Sequence, residues 1–159
     1  MHNPYNLSFI LLFMTVIRRM NLQDVDAVFI MGVNEPRFKV SSENGFWTKD
    51  QLSRWVENEK DVLLIAEEEG KIVGCALSQY HSQTNKATFE NLYVNPDCRN
   101  SGIGNLLVSE LIQIYQDRNS SLCALIEPDN KPILSLLEKN SFERGKEMIW
   151  MSYGNRPPQ

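Results

Sequence analysis

The sequence predicts one mixed α/β domain, a sheet flanked by helices. Three observations predict it. Short apolar runs alternate with amphipathic helical stretches in the order β-α-α-β-β-β-α-β-α-β, with no repeat or low-complexity block. Val62 to Ala66, Glu69-Gly70 and Ile72 to Ser78 read as a β-hairpin with the glycine marking its turn. A strand ending at Val94 runs through Pro96 and a glycine-containing loop directly onto a long helix.

Taken in order, Thr15 to Arg19 alternates enough for a first strand. Asn21 to about Val33 places Leu22, Val25, Val28, Phe29 and Gly32/Val33 on one helical stripe, with Asp24 and Asp26 near its positive end. Residues 34–47, with Pro36, Gly45 and several aromatics, read as a loop. Thr48-Lys49-Asp50-Gln51 is a capping box that starts a short helix with Leu52, Trp55 and Val56 on one face. The hairpin follows, then a strand from Ala87 to Val94 and an amphipathic helix from about Gly102 to Asp117. Leu122 to Ile126 reads as a short buried strand, and Asn130 to Asn140-Ser141 as a helix with Ile133, Leu134, Leu136 and Leu137 apolar. Glu147 to Tyr153 is expected to be a final strand.

The 159 residues suit a single domain with its own core. Residues 1–13 are expected to be an appendage, 14–153 the domain and 154–159 a frayed tail. Phe9 to Ile17 is too short to span a bilayer, and Arg18-Arg19 follow it where a secretory signal would carry basic residues before it, so no membrane is expected. An apolar segment of this kind also suits pairing with a second subunit, which keeps a homodimer among the expectations. The net charge of −4, from 16 basic and 20 acidic residues without a basic stripe, argues against nucleic acid as a partner. Cys75, Cys98 and Cys123 have no metal-ligand spacing and cannot all pair, which points to a reducing, cytoplasmic setting. His2 and His81 are too few and too isolated for a metal site or a Ser/His/Asp triad.

The chemistry concentrates between Leu92 and Asn105. A helix start offers unpaired backbone N–H groups and the positive end of the helix dipole, together an anion site. Gly102 and Gly104 leave the backbone accessible, and Arg99 can add a forked cationic contact, so the loop reads as a diphosphate cradle. Arg99-x-x-Gly102-x-Gly104, preceded by Leu92-Tyr93-Val94-x-Pro96, resembles the acyl-CoA signature of the GNAT superfamily of N-acetyltransferases. The resemblance runs from about Thr15 to Tyr153, and Asn130 to Phe142 resembles a second family segment.

That resemblance implies a mixed, largely antiparallel central sheet whose fourth and fifth strands splay, with acyl-CoA in the wedge. It implies acetyl-CoA as cofactor, held by the backbone of Leu92, Tyr93 and Val94, by Arg99, Asn100, Ser101, Gly102, Ile103, Gly104 and Asn105, and by Asn130. The acceptor would be an amine of a small molecule or a peptide. Asn100 stands where the family most often has glycine; asparagine tolerates left-handed backbone, so the loop can still close. Glu90 is the candidate catalytic base, because alternation places it on the face of Leu92 and Val94, where a carboxylate is unusual; the other reading of the same residue is a glutamate at the sheet rim that simply attracts a cationic substrate. The general acid is where the chain departs from the pattern: Leu137 replaces the usual tyrosine, and Ser141 the usual glycine. A thiol of CoA type, with pKa about 8.5, leaves tolerably without an acid, and Tyr93, Tyr115 or water could serve instead. For acceptor choice the region of Phe38, Phe46, Trp47 and Trp55, with Glu35 and Glu43, offers aromatics beside carboxylates. The leading expectation is transfer of an acetyl group to a primary amine. The rivals are an acyl-CoA-binding module with little activity and a nucleotide-binding protein; for the latter both the P-loop and Gly-x-Gly-x-x-Gly are missing.

Overall fold

The computed structural model describes residues 14–38 and 45–147. The expected appendage, the frayed tail and nearly all of the expected final strand lie outside them. The described elements are β1 Val16–Arg19, α1 Val25–Val33, α2 Lys49–Glu57, β2 Val62–Glu68, β3 Lys71–His81, β4 Lys86–Val94, α3 Ile103–Asp117, β5 Ser121–Ala124 and α4 Lys131–Lys139. They form a sheet of order β1-β2-β3-β4-β5. β1 through β4 pair antiparallel and β4 with β5 parallel. This is the mixed, largely antiparallel sheet that was expected.

Alternation sorts the sheet residues into two cores. Val62, Leu64, Ala66, Ala76, Ala87 and Phe89 pack against Ile103, Leu107, Val108, Leu111 and Tyr115 of α3 and Leu137 of α4. Leu63, Ile65, Cys75 and Leu77 pack on the opposite face with Val25 and Val28 of α1, Leu52 of α2 and Phe46. The apolar stripe of α3 repeats every three to four residues, which is why this helix lies flat on the sheet.

The helix starts follow from side-chain chemistry. Thr48 Oγ1 accepts the Gln51 N–H at 3.2 Å and Gln51 Oε1 accepts the Thr48 N–H at 2.9 Å, the reciprocal box read in the sequence. The first expected helix divides into a 3₁₀ turn, Leu22–Asp24, and α1. There Asn21 Oδ1 takes the Gln23 N–H and Asp24 Oδ2 takes the Asn21 N–H, each at 2.8 Å. Asp24 also receives Arg18 Nη1 at 2.8 Å and Nη2 at 3.0 Å, and Arg18 reaches on to Glu67 at 2.9 Å. One guanidinium thus ties β1, the 3₁₀ turn and β2 together. Burial works against the Asp24 charge, but the Arg18 and Asn21 hydrogen bonds outweigh it and hold the carboxyl below its usual range.

Two strand expectations change. β5 is Ser121–Ala124 and alternates exposed with half-buried residues, so it is not a buried strand, and among the described residues it pairs with β4 alone. β3 extends to His81, and β4 begins at Lys86 across a short turn.

Candidate active site

β4 and β5 pair from Lys86↔Ser121 to Phe89↔Ala124 and then part. From Glu90 to Val94, β4 has no neighbour on that side among the described residues, so a wedge opens between the two strands. At its far end the chain makes a 3₁₀ turn, Pro96–Cys98, and enters α3 through Arg99 to Gly102.

Asn100 has φ 61° and Gly102 φ 92°. The left-handed step that asparagine tolerates is therefore used, and Gly102 supplies the second one, with no atom within 4 Å of where a Cβ would stand. Ser101 Oγ donates to the Cys98 carbonyl at 2.5 Å and closes the turn. The first hydrogen bond of α3 is Leu106 N–H to the Gly102 carbonyl. The N–H groups of Ile103, Gly104 and Asn105 therefore have no partner within the helix. Ile103 is anchored in the core. A Cβ on Gly104 would stand 3.4 Å from Leu136, 3.8 Å from Leu92 and 3.9 Å from Val94, ordinary contact distances, so Gly104 faces the packing of α3 on β4 and α4 and a Cβ would fit there. Arg99 folds back: its Nε donates to the Val94 carbonyl at 2.9 Å and Nη2 meets Glu35 at 3.4 Å. It braces the end of β4, and about half of its side chain is exposed.

Glu90 is the extra residue of a β-bulge. Leu77 pairs with Asn91 and Ser78 with Phe89, leaving Glu90 unmatched. The alternation that would place Glu90 with Leu92 and Val94 is thereby broken. Leu92 and Val94 join Ala87 and Phe89 toward α3 and α4, while Tyr93 faces the α1–α2 layer. Two residues before Glu90, Thr88 Oγ1 hydrogen-bonds the ring of His81 on β3 at 3.0 Å. Although Glu90 is exposed as a whole, partial desolvation raises its carboxyl above the usual range, opposed by the charge of His81.

Asn91, which the sequence did not single out, accepts a hydrogen bond from Trp47 Nε1 at 2.8 Å. Its signal was present as a phase slip: the apolar positions Ala87, Phe89, Leu92 and Val94 alternate correctly only if one residue is skipped. Around it the aromatics form one wall. Phe38 stacks on Phe46 at 5.5 Å and meets Tyr93 edge-on at 6.2 Å, and Trp47 meets Trp55 edge-on at 5.2 Å. Glu43 lies outside the described residues.

Asn130 stands at the start of α4, its side chain making no capping bond. Asn105 is tied to α4 through Asn140, whose amide donates to Asn105 Oδ1 at 2.9 Å. Leu137 is 4% exposed, part of the α3 core. Ser141 has φ 66°, the left-handed step for which the family uses glycine. Tyr115 is closed as a proton donor: it is buried, with its hydroxyl 2.9 Å from Ser78 Oγ. All three cysteines are free thiols; burial pushes Cys75 up to about 12, which makes it inert. Among the described residues no cluster of His, Cys, Asp and Glu could hold a metal, and no helix is long and apolar enough to cross a membrane.

A splayed pair of strands, an N–H-lined helix start and a bulged carboxylate meet at this end of the sheet. The acetyltransferase (GNAT) family profile matches residues 31–142, most of the chain, and the chain belongs to that family. An acetyltransferase of Pectobacterium atrosepticum is 30% identical over 93 residues, 58% of this chain. That match covers 64% of the relative, so the chain spans a little under two thirds of its length. The fold is similar to an aminoglycoside acetyltransferase from an uncultured soil metagenomic sample, solved with sisomicin: TM-score 0.71 at 18% identity, covering 89% of this chain and 97% of that one. It is also similar to yncA of Salmonella typhimurium, solved with its cofactor acetyl-CoA: TM-score 0.69 at 21% identity, covering 81% and 79%. At these identities the likeness shows a shared fold.

Proposed function

We propose that the chain is an acetyl-CoA-dependent N-acetyltransferase that transfers an acetyl group to a primary amine by direct attack on the thioester. The observation that carries this reading is the wedge between β4 and β5 leading to the N–H groups of Ile103, Gly104 and Asn105, which have no partner within the helix. A left-handed Gly102 with open space beside it fits a diphosphate there. Asn100 and Ser101 complete the loop, and the half-exposed Arg99 can trade its long Glu35 contact for a phosphate oxygen. The unpaired edge of Leu92, Tyr93 and Val94 suits a pantetheine arm bound as an added strand, with Asn130 of α4 facing its amides. Acetyl-CoA supplies the acetyl thioester.

This chain's residues supply the proton chemistry. An amine of pKa roughly 10 arrives charged, and Glu90, held above the usual carboxylate range, is suited to take its proton. Backbone N–H groups on the free edge after the bulge can donate to the thioester carbonyl oxygen. Phe38, Trp47 and Glu35 are the candidates to meet the amine, and the aminoglycoside acetyltransferase with the same fold makes cationic amines the first class to try.

The burial of Leu137 favours a second reading, an acyl-CoA-binding module with little activity, because no donor stands where the family's tyrosine would. Release of CoA thiol over a panel of aminoglycosides, polyamines and peptide N-termini decides between them. The enzyme reading expects at least one amine to accelerate release and Glu90→Gln to slow it by about tenfold or more, with acetyl-CoA affinity little changed. Binding without acceleration by any amine supports the module.

A further inference from the structure

The bulge that carries Glu90 is held from both faces of the sheet. On the α3 side the residue opposite it, Ser78, is fully buried; its Oγ donates to the Val62 carbonyl at 2.7 Å and shares a hydrogen bond with Tyr115 at 2.9 Å. On the α1–α2 side the only described side-chain hydrogen bond to the bulge is Trp47 Nε1 to Asn91 Oδ1. Asparagine is a poor strand residue, and a half-buried amide with no partner would cost stability. The indole N–H answers that need from a position 44 residues earlier in the chain.

Trp47 is itself fixed. It immediately precedes Thr48, whose side chain and N–H are locked in the α2 capping box, and its ring abuts Trp55. A short rigid path therefore runs from the first turn of α2, through one indole and one amide, to the residue beside Glu90. The direction of a bulged side chain depends on the local backbone rotation, which the neighbouring pair sets.

Resting on the acetyltransferase reading, we propose that Trp47 is a positioning residue for Glu90, acting through Asn91 to fix the bulge and the free strand edge beyond it. Trp47 does so without touching the transferred group. A ring that merely packs the aromatic wall would be replaceable by phenylalanine. A ring whose N–H sets the bulge would not, and an acceptor at position 91 should preserve the effect. Of the charged groups the structure places on Glu90, His81 on β3 is the one that bears on its titration, so it is left unaltered in every variant.

The test compares wild type with Trp47→Phe, Asn91→Leu and Asn91→Asp in the full chain. It reads the Glu90 carboxyl titration by carbon-13 NMR, the Trp47 indole N–H resonance, acetyl-CoA affinity by calorimetry and turnover with the best amine of the panel. Folded fraction is checked by circular dichroism. Trp47→Phe and Asn91→Leu are expected to move the Glu90 titration down toward an ordinary carboxylate and to lower kcat by about tenfold while KM for acetyl-CoA stays within about twofold. Asn91→Asp is expected to keep the hydrogen-bonded indole resonance. A Glu90 titration and kcat unchanged in folded Trp47→Phe would overturn the proposal, since that variant has lost the indole donor. If wild type fails to bind acetyl-CoA, the acetyltransferase reading falls, whereas the Glu90 titration series still decides whether Trp47 sets the bulge.

Discussion

In β2, Val62 to Ala66 are all buried, and Leu64 to Ala66 pair on both sides, with β1 and β3. In β4, Glu90 to Val94 include no buried residue and, among the described residues, pair only with β3. The closed half of the sheet is additionally clamped by Arg18, Asp24 and Glu67, whereas the open half holds the bulge, the free strand edge and the helix start. The difference teaches a division of labour. Ladder bonds and burial on one side stabilise the domain, and their omission on the other leaves backbone groups free for a ligand. Substitutions in the closed half should therefore lower stability and spare acetyl-CoA affinity, and those in the open half should do the reverse.

The largest expected effect on stability is Arg18→Met. Asp24, whose side chain is only 7% exposed, would keep its charge without its partner. Because Arg18 is one-third exposed, the full cost of breaking a buried pair is discounted to about 2–3 kcal/mol. A fall in Tm of roughly 5–10 °C follows for a domain of this size. Acetyl-CoA affinity of the folded fraction should not change, and a parallel loss of affinity would break the division. The same pair sets an acid limit. A carboxyl lowered by folding contributes stability that is present above its unfolded pKa and lost as pH falls through its folded one, so wild type should lose this increment in acid and Arg18→Met should not.

Gly32→Ala comes next. A Cβ there would stand 2.0 Å from the buried Phe46 ring, so the ring must leave its seat. Overpacking of this kind costs about 1–3 kcal/mol, measurable by denaturant midpoint, despite the better helix propensity of alanine. Ser141→Gly should go the other way and raise stability by about 1 kcal/mol, because the left-handed φ is one that glycine adopts freely. The smallest effect sharpens the contrast most. Glu90 is raised by folding, so its favourable contribution exists at low pH and is lost as pH rises through its folded pKa. Glu90→Gln should accordingly melt slightly higher than wild type at neutral pH while turning over more slowly, the sign expected of a residue kept for chemistry.

Much of this was legible in the sequence where the signal is local. The Thr48–Gln51 box, the α3 stripe and the strand–loop–helix around Gly102 need only neighbouring residues to be read. The left-handed backbone that asparagine tolerates is found at Asn100. Long-range partners left no local trace. Arg18 with Asp24 and Glu67, Gly32 beneath Phe46, and Trp47 on Asn91 join residues that periodicity treats separately. The bulge lies between these cases. The alternation of β4 slips by one at Glu90-Asn91, yet a regular period of two is the simpler reading and misplaces the carboxylate relative to Leu92 and Val94.

The central claim, that the open end of the sheet is an acyl-CoA site, is tested most directly by calorimetric titration with acetyl-CoA, using NAD and ATP as controls and Gly102→Val as the site variant. The account predicts micromolar binding of acetyl-CoA, silent controls and loss of binding in Gly102→Val, whose side chain is strained at φ 92°. Absence of acetyl-CoA binding by the wild-type chain, or undiminished binding by the variant, would contradict it.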